Sequence, residues 1–161
     1  MQKFEKISFK QFCKDVVKDF SLYGEYNLPM RSTINSAGYD FFSLVDFDLL
    51  PGEVKKIPLG VKVKMDSNVF LMLVVRSSMG FKYNVRLCNQ VGIIDSDYYD
   101  NVSNEGHIWI ALQNEGNDIF KVVKGDKIVQ GIFLPFLIAD DVNSVKRSGG
   151  IGSTDEGVEL I

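Results

Sequence analysis

Three aspartates, Asp95, Asp97 and Asp100, fall within six residues of GIIDSDYYDN at 92–101, beside Tyr98 and Tyr99 and directly after an apolar stretch. Carboxylates so spaced suggest a calcium loop, in which ligands sit at alternate positions and a glycine allows the sharp turn. The segment does not fit that pattern. Tyr99 stands at the third ligand position, Asp100 at the glycine position, and Gly106 where a closing glutamate belongs. Two readings stay level. One is an Asp-rich solvated turn; the other is a catalytic carboxylate held by a hairpin, with an aromatic ring beside it to pack against a ligand.

Two further segments carry groups suited to phosphate. In RSSMG at 76–80, a guanidinium, two hydroxyls and a turn glycine follow an apolar run, and guanidinium and hydroxyl groups beside free amides are what phosphate oxygens need. In RSGGIGSTD at 147–155, three glycines let the backbone approach a ligand, and Arg147, Ser153 and Thr154 could bind its oxygens. The tail lacks the spacing and lysine of a Walker A loop. Each segment alone is weak: Arg-Ser turns are common on surfaces, and glycine-rich ends are more often flexible than functional.

The elements that must position these groups read as strands. Val61, Val63 and Met65 alternate with Lys62 and Lys64, the pattern of a half-buried strand. Residues 69–75 read as a strand buried on both faces, and 108–112, 119–123 and 128–134 as further strands. Glycines at 52, 60, 80, 92, 106, 116, 125 and 131 punctuate them as turns, so the pattern predicts an all-β sandwich or barrel. One helix stands outside it. Phe9, Phe12, Cys13, Val16, Val17 and Phe20 follow helical spacing after a Ser8/Gln11 capping box.

The chain has 161 residues, suited to one domain that buries roughly 70% of the surface its unfolded form exposes. The reading is a single domain over 1–161, with a helical extension at about 1–25 and a C-terminal arm at about 139–161. Eighteen Lys and Arg against 21 Asp and Glu leave a net charge of −3, which argues against a nucleic-acid binder working by broad phosphate neutralisation. No apolar run approaches a signal peptide or a membrane span. Two cysteines, Cys13 and Cys88, and one histidine, His107, are too few for a disulfide scaffold or zinc cluster. A soluble cytoplasmic protein, or one inside an infected host cell, is expected, with no membrane and no nucleic-acid partner.

In order, AGYDF (37–41), RSSMG (76–80), GIIDSDYYDN (92–101), GDKIVQGIFLP (125–135) and GGIGSTD (149–155) resemble the five motifs of the trimeric deoxyuridine triphosphatase (dUTPase) family. The resemblance implies an all-β, β-clip barrel or jelly roll, with a short N-terminal helix and a flexible C-terminal arm. It implies a homotrimer with sites shared between chains, and hydrolysis of dUTP to dUMP and pyrophosphate. That reaction limits uracil in DNA and supplies dUMP for thymidylate synthesis. Mg²⁺ is then held by the triphosphate and waters, with no direct protein ligand. By similarity, Asp95 activates the attacking water and Tyr98 packs on the deoxyribose, leaving no room for a 2′-hydroxyl. Asn89, on the strand entering that hairpin, supports uracil recognition; Gly92 and Ile94 also line the nucleoside pocket.

Arg76, Ser77, Ser78, Gly80 and Gln130 correspond to positions near the phosphates. Asp40 supports the site, and Asp97 supports the turn rather than serving as a second base. The arm closes over the nucleotide with Arg147, Gly150, Ile151, Gly152, Ser153 and Thr154. Three departures stand out. Asp100 replaces a usual glycine, Ile151 replaces the phenylalanine that stacks on uracil, and Lys146 occupies the usual arginine position. Either the arm is a weaker lid, or Tyr99 or Phe81 supplies the stacking. Trp109 reads as core or interface, and His107 as an ordinary strand-end histidine. Two alternatives are a dCTP deaminase of the same fold and a regulatory, protein-binding module on that fold.

Overall fold

The VKVK alternation forms a strand over Val61–Lys64, in which Val61 and Val63 are buried while Lys62 and Lys64 are not. A computed structural model describes residues 1–140 of the chain. Its strands, in chain order, are β1 (Lys3–Lys6), β2 (Met30–Arg31), β3 (Tyr39–Phe42), β4 (Phe47–Leu49), β5 (Val54–Pro58) and β6 (Val61–Lys64). They continue as β7 (Val69–Val74), β8 (Val85–Leu87), β9 (Gly92–Ile94), β10 (Trp109–Asn114), β11 (Phe120–Val122) and β12 (Lys127–Pro135). Three short helices join them: α1 (Phe9–Asp15), α2 (Phe20–Glu25) and α3 (Ser77–Tyr83). The protein is all-β, as expected.

All pairings are antiparallel, in sheets ordered β2-β3-β12-β7-β9, β5-β10-β8, β1-β6 and β11-β4. β12 is the spine of the largest sheet and sets Gln130 directly opposite Asp40 on one side and Val74 on the other. The core between the layers includes Phe41, Leu49, Leu71, Leu73, Leu87, Ile108 and Leu112. Among the described residues no helix is long and apolar enough to cross a membrane. Cys13 and Cys88 are free thiols, both half-buried.

Four expectations are corrected. The helical pattern over 9–20 is two helices, because α1 ends at Val16 (φ −118°, ψ −82°) and Asp19 caps α2 by accepting from the Leu22 N–H. Gly80 lies inside α3, and Gly92 and Gly131 inside strands, so none of the three is a turn. In β7 only Leu71 and Leu73 are buried; the other face is half-buried. The capping box is half formed: Ser8 Oγ accepts from the Gln11 N–H at 3.1 Å. The returning acceptor is Glu105, which takes the Ser8 N–H at 2.9 Å and the Ser8 hydroxyl at 2.6 Å. Gln11 instead donates to Asp15 at 2.7 Å.

Candidate active site

Three of the five motifs meet at one open cleft of about 300 Å³. β3 brings Asp40, with Gly38 just before it; the start of α3 brings Ser77 and Ser78, with Arg76 as its N-cap; and β12 brings Gln130. A Cβ on Gly38 would stand 2.4 Å from Gln130 Oε1, so glycine there lets the Gln130 side chain lie across the strand. Gly80, one turn into α3, stays beside the cleft without lining it.

Asp40 is the electrostatic centre of the cleft. Only 5% exposed, it meets Arg76 Nε at 3.2 Å and Lys127 Nζ at 2.8 Å and accepts from the Ser32 hydroxyl at 2.5 Å. Burial by itself would raise this carboxyl. The hydrogen bonds from Lys127 and Ser32, with the charges of Arg76 and Lys127, outweigh burial and hold it below the ordinary carboxylate value. A depressed folded value stabilises the fold above the unfolded value, about pH 4, and that contribution is lost as pH falls through the folded value. Urea midpoints across pH should therefore show a steeper acid-side loss in the wild type than in Asp40→Asn, which keeps the other depressed carboxylates but lacks this one. At neutral pH the variant should be the less stable, with two cations left beside an uncharged amide.

Ser32, Ser36 and Lys127 belong to this site and escape the sequence reading. Lys127 and Gln130 are three apart, so simple alternation puts them on opposite faces of β12. The register shift between Lys127 and Val129 removes that separation. Ser32 and Ser36 sit in the exposed loop after β2, where nothing in the sequence marks them, and only their placement on the cleft identifies them.

The aspartate segment follows the edge strand of the largest sheet. β9 delivers Asp95, which precedes a single 3₁₀ turn over Ser96–Tyr98. Ile94 pairs with Leu71 and Gly92 with Leu73. Asp95 and Asp97 are exposed, while Tyr98 is 5% exposed. The Tyr98 hydroxyl donates to the His107 carbonyl at 3.0 Å and accepts from Asn104 Nδ2 at 2.8 Å. Asp95, Tyr98 and Asn89 are not among the walls of the cleft.

The hairpin expectation is corrected here, because β8 pairs with β10 while β9 pairs with β7. The chain changes sheets between β8 and β9. Asn89 is in the turn that makes the change, not on a strand, and the next residue, Gln90, has φ +62°.

Asp100, where the motif commonly carries glycine, adopts φ +54°, a conformation aspartate tolerates better than most side chains. Its carboxylate pairs with Lys62. Tyr99 does not stand free for a base. Its hydroxyl donates to Glu5 Oε2 at 2.7 Å, and that bond, with partial burial, pushes the phenol up to about 12. Lys62 and Lys64 lie 5.0 and 5.9 Å from its ring centre. Phe81 is 92% exposed on α3. Trp109 is half-buried and sits 5.3 Å, ring to ring, from His107.

His107 is not an ordinary strand-end residue. It is wholly buried, accepts from the Gly60 N–H at Nε2 (2.9 Å) and meets Asp15 Oδ2 at Nδ1 (2.6 Å). Arg147, Gly150, Ile151, Gly152, Ser153 and Thr154, and with them the proposed arm, lie outside the described residues.

The chain is similar to known proteins. The dUTPase family model matches residues 25–158. A deoxyuridine 5'-triphosphate nucleotidohydrolase of Lactococcus lactis is 45% identical over 131 residues, covering 80% of this chain and 87% of its own. The crystal structure of a dUTPase from Streptococcus mutans matches with a TM-score of 0.70 at 36% identity, over 86% of this chain and 98% of that one. A mutant dUTPase from phage phi11 of S. aureus, whose structure concerns a structural Mg(II) ion, shares the fold with a TM-score of 0.66 at 19% identity. That match covers 91% of this chain and 97% of the other. With the family matched across residues 25–158 and a relative 45% identical over most of both chains, the chain belongs to the dUTPase family.

Proposed function

We propose that the protein hydrolyses dUTP to dUMP and pyrophosphate, removing dUTP from the nucleotide pool of the cytoplasm and supplying dUMP. The observation that carries this reading is the cleft in which Asp40, Arg76, Ser77, Ser78 and Gln130 converge from three separate stretches of chain. Arg76 and the two hydroxyls present donors suited to phosphate oxygens. Asp40 does not oppose the ligand's charge, since Arg76 and Lys127 already neutralise it.

This donor set fits a triphosphate that arrives with Mg²⁺ on its own oxygens. The metal, when bound, offsets charge on the phosphates. The chain's own residues do the rest. Asp95, exposed at the mouth of its turn, takes a proton from the water that attacks the α-phosphorus. Arg76 steadies the charge that develops on the phosphoryl oxygens. Tyr98 walls the sugar and rejects a 2′-hydroxyl, Asn89 and the backbone near Gly92 and Ile94 hold uracil, and Asp97 keeps the turn.

Asp40, Arg76 and Gln130 line the cleft, while Asp95, Tyr98 and Asn89 do not. That pattern, with the family resemblance, supports a homotrimer in which one chain's turn faces another chain's cleft; the arm proposed at about 139–161 lies, from residue 141 on, outside the described residues. Residues 1–25 pack into the rest through β1 and β6, in keeping with one domain over the whole chain. Pyrophosphate release from dUTP, dCTP, dTTP and UTP, with and without Mg²⁺, tests the reading. Turnover confined to dUTP and lost without the metal is expected. Ammonia release from dCTP would replace this function with deamination, and no turnover of any of the four would reject it.

A further inference from the structure

Residues 1–24 fall outside the stretch matched by the family, yet they reach the segment that directly follows Asp95 and Tyr98, residues 99–107, at three points. Glu5 accepts from the Tyr99 hydroxyl, Ser8 donates twice to Glu105, and Asp15 meets His107. The third contact has the most direct route to the reacting groups. Nε2 of His107 accepts from the Gly60 N–H, so the neutral ring carries its proton on Nδ1, aimed at Asp15. Burial pushes this histidine below its ordinary value against the pull of Asp15, which keeps it neutral near pH 7.

The carbonyl of the same residue accepts the Tyr98 hydroxyl, whose other partner is Asn104. Gly106, at φ +78°, packs its Cα face so tightly that a Cβ would stand 2.6 Å from the Tyr98 carbonyl oxygen. His107 is thus clamped on its ring by α1 and on its carbonyl by Tyr98. Because the ring has no exposed surface, it cannot shift without moving one clamp or the other.

We propose that Asp15 and His107 are positioning residues for Tyr98, so that the N-terminal helix sets how strictly the site rejects a ribose. This rests on the reading of Tyr98 as the wall of the sugar pocket. Exclusion of a 2′-hydroxyl is a steric effect over a few tenths of an ångström, and steric repulsion is steep. A wall that slackens slightly loses discrimination before it loses catalysis.

The test is the ratio of kcat/KM for dUTP to that for UTP, measured on the full chain. A purely structural link would lower the yield of folded enzyme or its Tm and reduce both activities together, leaving the ratio unmoved. Asp15→Ala is expected to cut the ratio about tenfold, and Asp15→Asn, whose amide oxygen can still accept from Nδ1–H, to hold it within about threefold of wild type. Should Asp15→Ala fail to fold, His107→Gln breaks the same link while its amide oxygen can still accept from Gly60, and it is read in the same way. An unchanged ratio overturns the proposal, as does a loss that Asp15→Asn does not restore. Tyr98→Ala separates the two levels. If it leaves the ratio intact, the sugar-wall reading itself fails; if it collapses the ratio while the Asp15 variants do not, only the positioning role fails.

Discussion

Asp95→Asn is expected to lower kcat for dUTP by about 10²–10⁴-fold while leaving the fold and nucleotide affinity in place. The substitution removes one proton-accepting oxygen and changes almost no volume. Asp95 occupies the residue before the 3₁₀ turn with extended backbone (φ −79°, ψ 157°), a position asparagine fills as readily as aspartate. The turn should therefore survive with Tyr98 still bonded to His107 and Asn104. Affinity should survive because the phosphate donors lie in the cleft, on β3, α3 and β12. Pyrophosphate release and binding of a non-hydrolysable dUTP analogue measure the two quantities separately. Near-normal turnover in the variant would sink the assignment of the base.

The second large effect concerns stability. Phe12→Ala should cost about 3–5 kcal/mol, the usual range for deleting a fully buried aromatic side chain. Phe12 has no exposed surface. Its ring stacks on Tyr26 at 5.5 Å with an interplanar angle of 8°, and meets Tyr23 edge-on at 5.3 Å. Removing it leaves a void between α1, α2 and the turn at Gly60, where the Tyr26 hydroxyl bonds the Gly60 carbonyl at 2.6 Å. Equilibrium urea unfolding of the wild type and variant measures the loss. A cost under about 1 kcal/mol would mean that the N-terminal helices lie on the domain without belonging to its core.

Much of this is legible in the sequence, for a physical reason. Strand periodicity is local, so β6 and β12 could be read from consecutive residues. Arg76 is legible because it sits in a segment whose residue types suit phosphate, whereas Asp40 and Gln130 are legible only through the resemblance of their segments to the family's first and fourth motifs. What escaped was non-local or depended on backbone irregularity. His107 looked ordinary because Asp15 and Gly60, 92 and 47 positions away, make it a buried junction. Lys127 was hidden by a bulge that breaks the alternation used to find it. Gly80 read as a turn because glycine usually marks one, yet α3 runs through it to Asn84, whose left-handed φ of 51° ends the helix. The break between α1 and α2 was masked because Val16, Val17 and Phe20 continue the apolar spacing across it.

The cap that Glu105 supplies to Ser8 spans 97 positions, and it constrains the order in which the chain can assemble. During synthesis at roughly 5–20 residues per second, α1 leaves the ribosome about 5–20 s before its capping carboxylate exists. For that interval the helix has an unfinished N-terminus, and Phe9 and Phe12 have no core to enter. A seven-residue helix is too short to hold its shape alone in water. The start of the chain must therefore wait with Phe9 and Phe12 unburied until the turn around residue 105 arrives. The first segment made is among the last to settle.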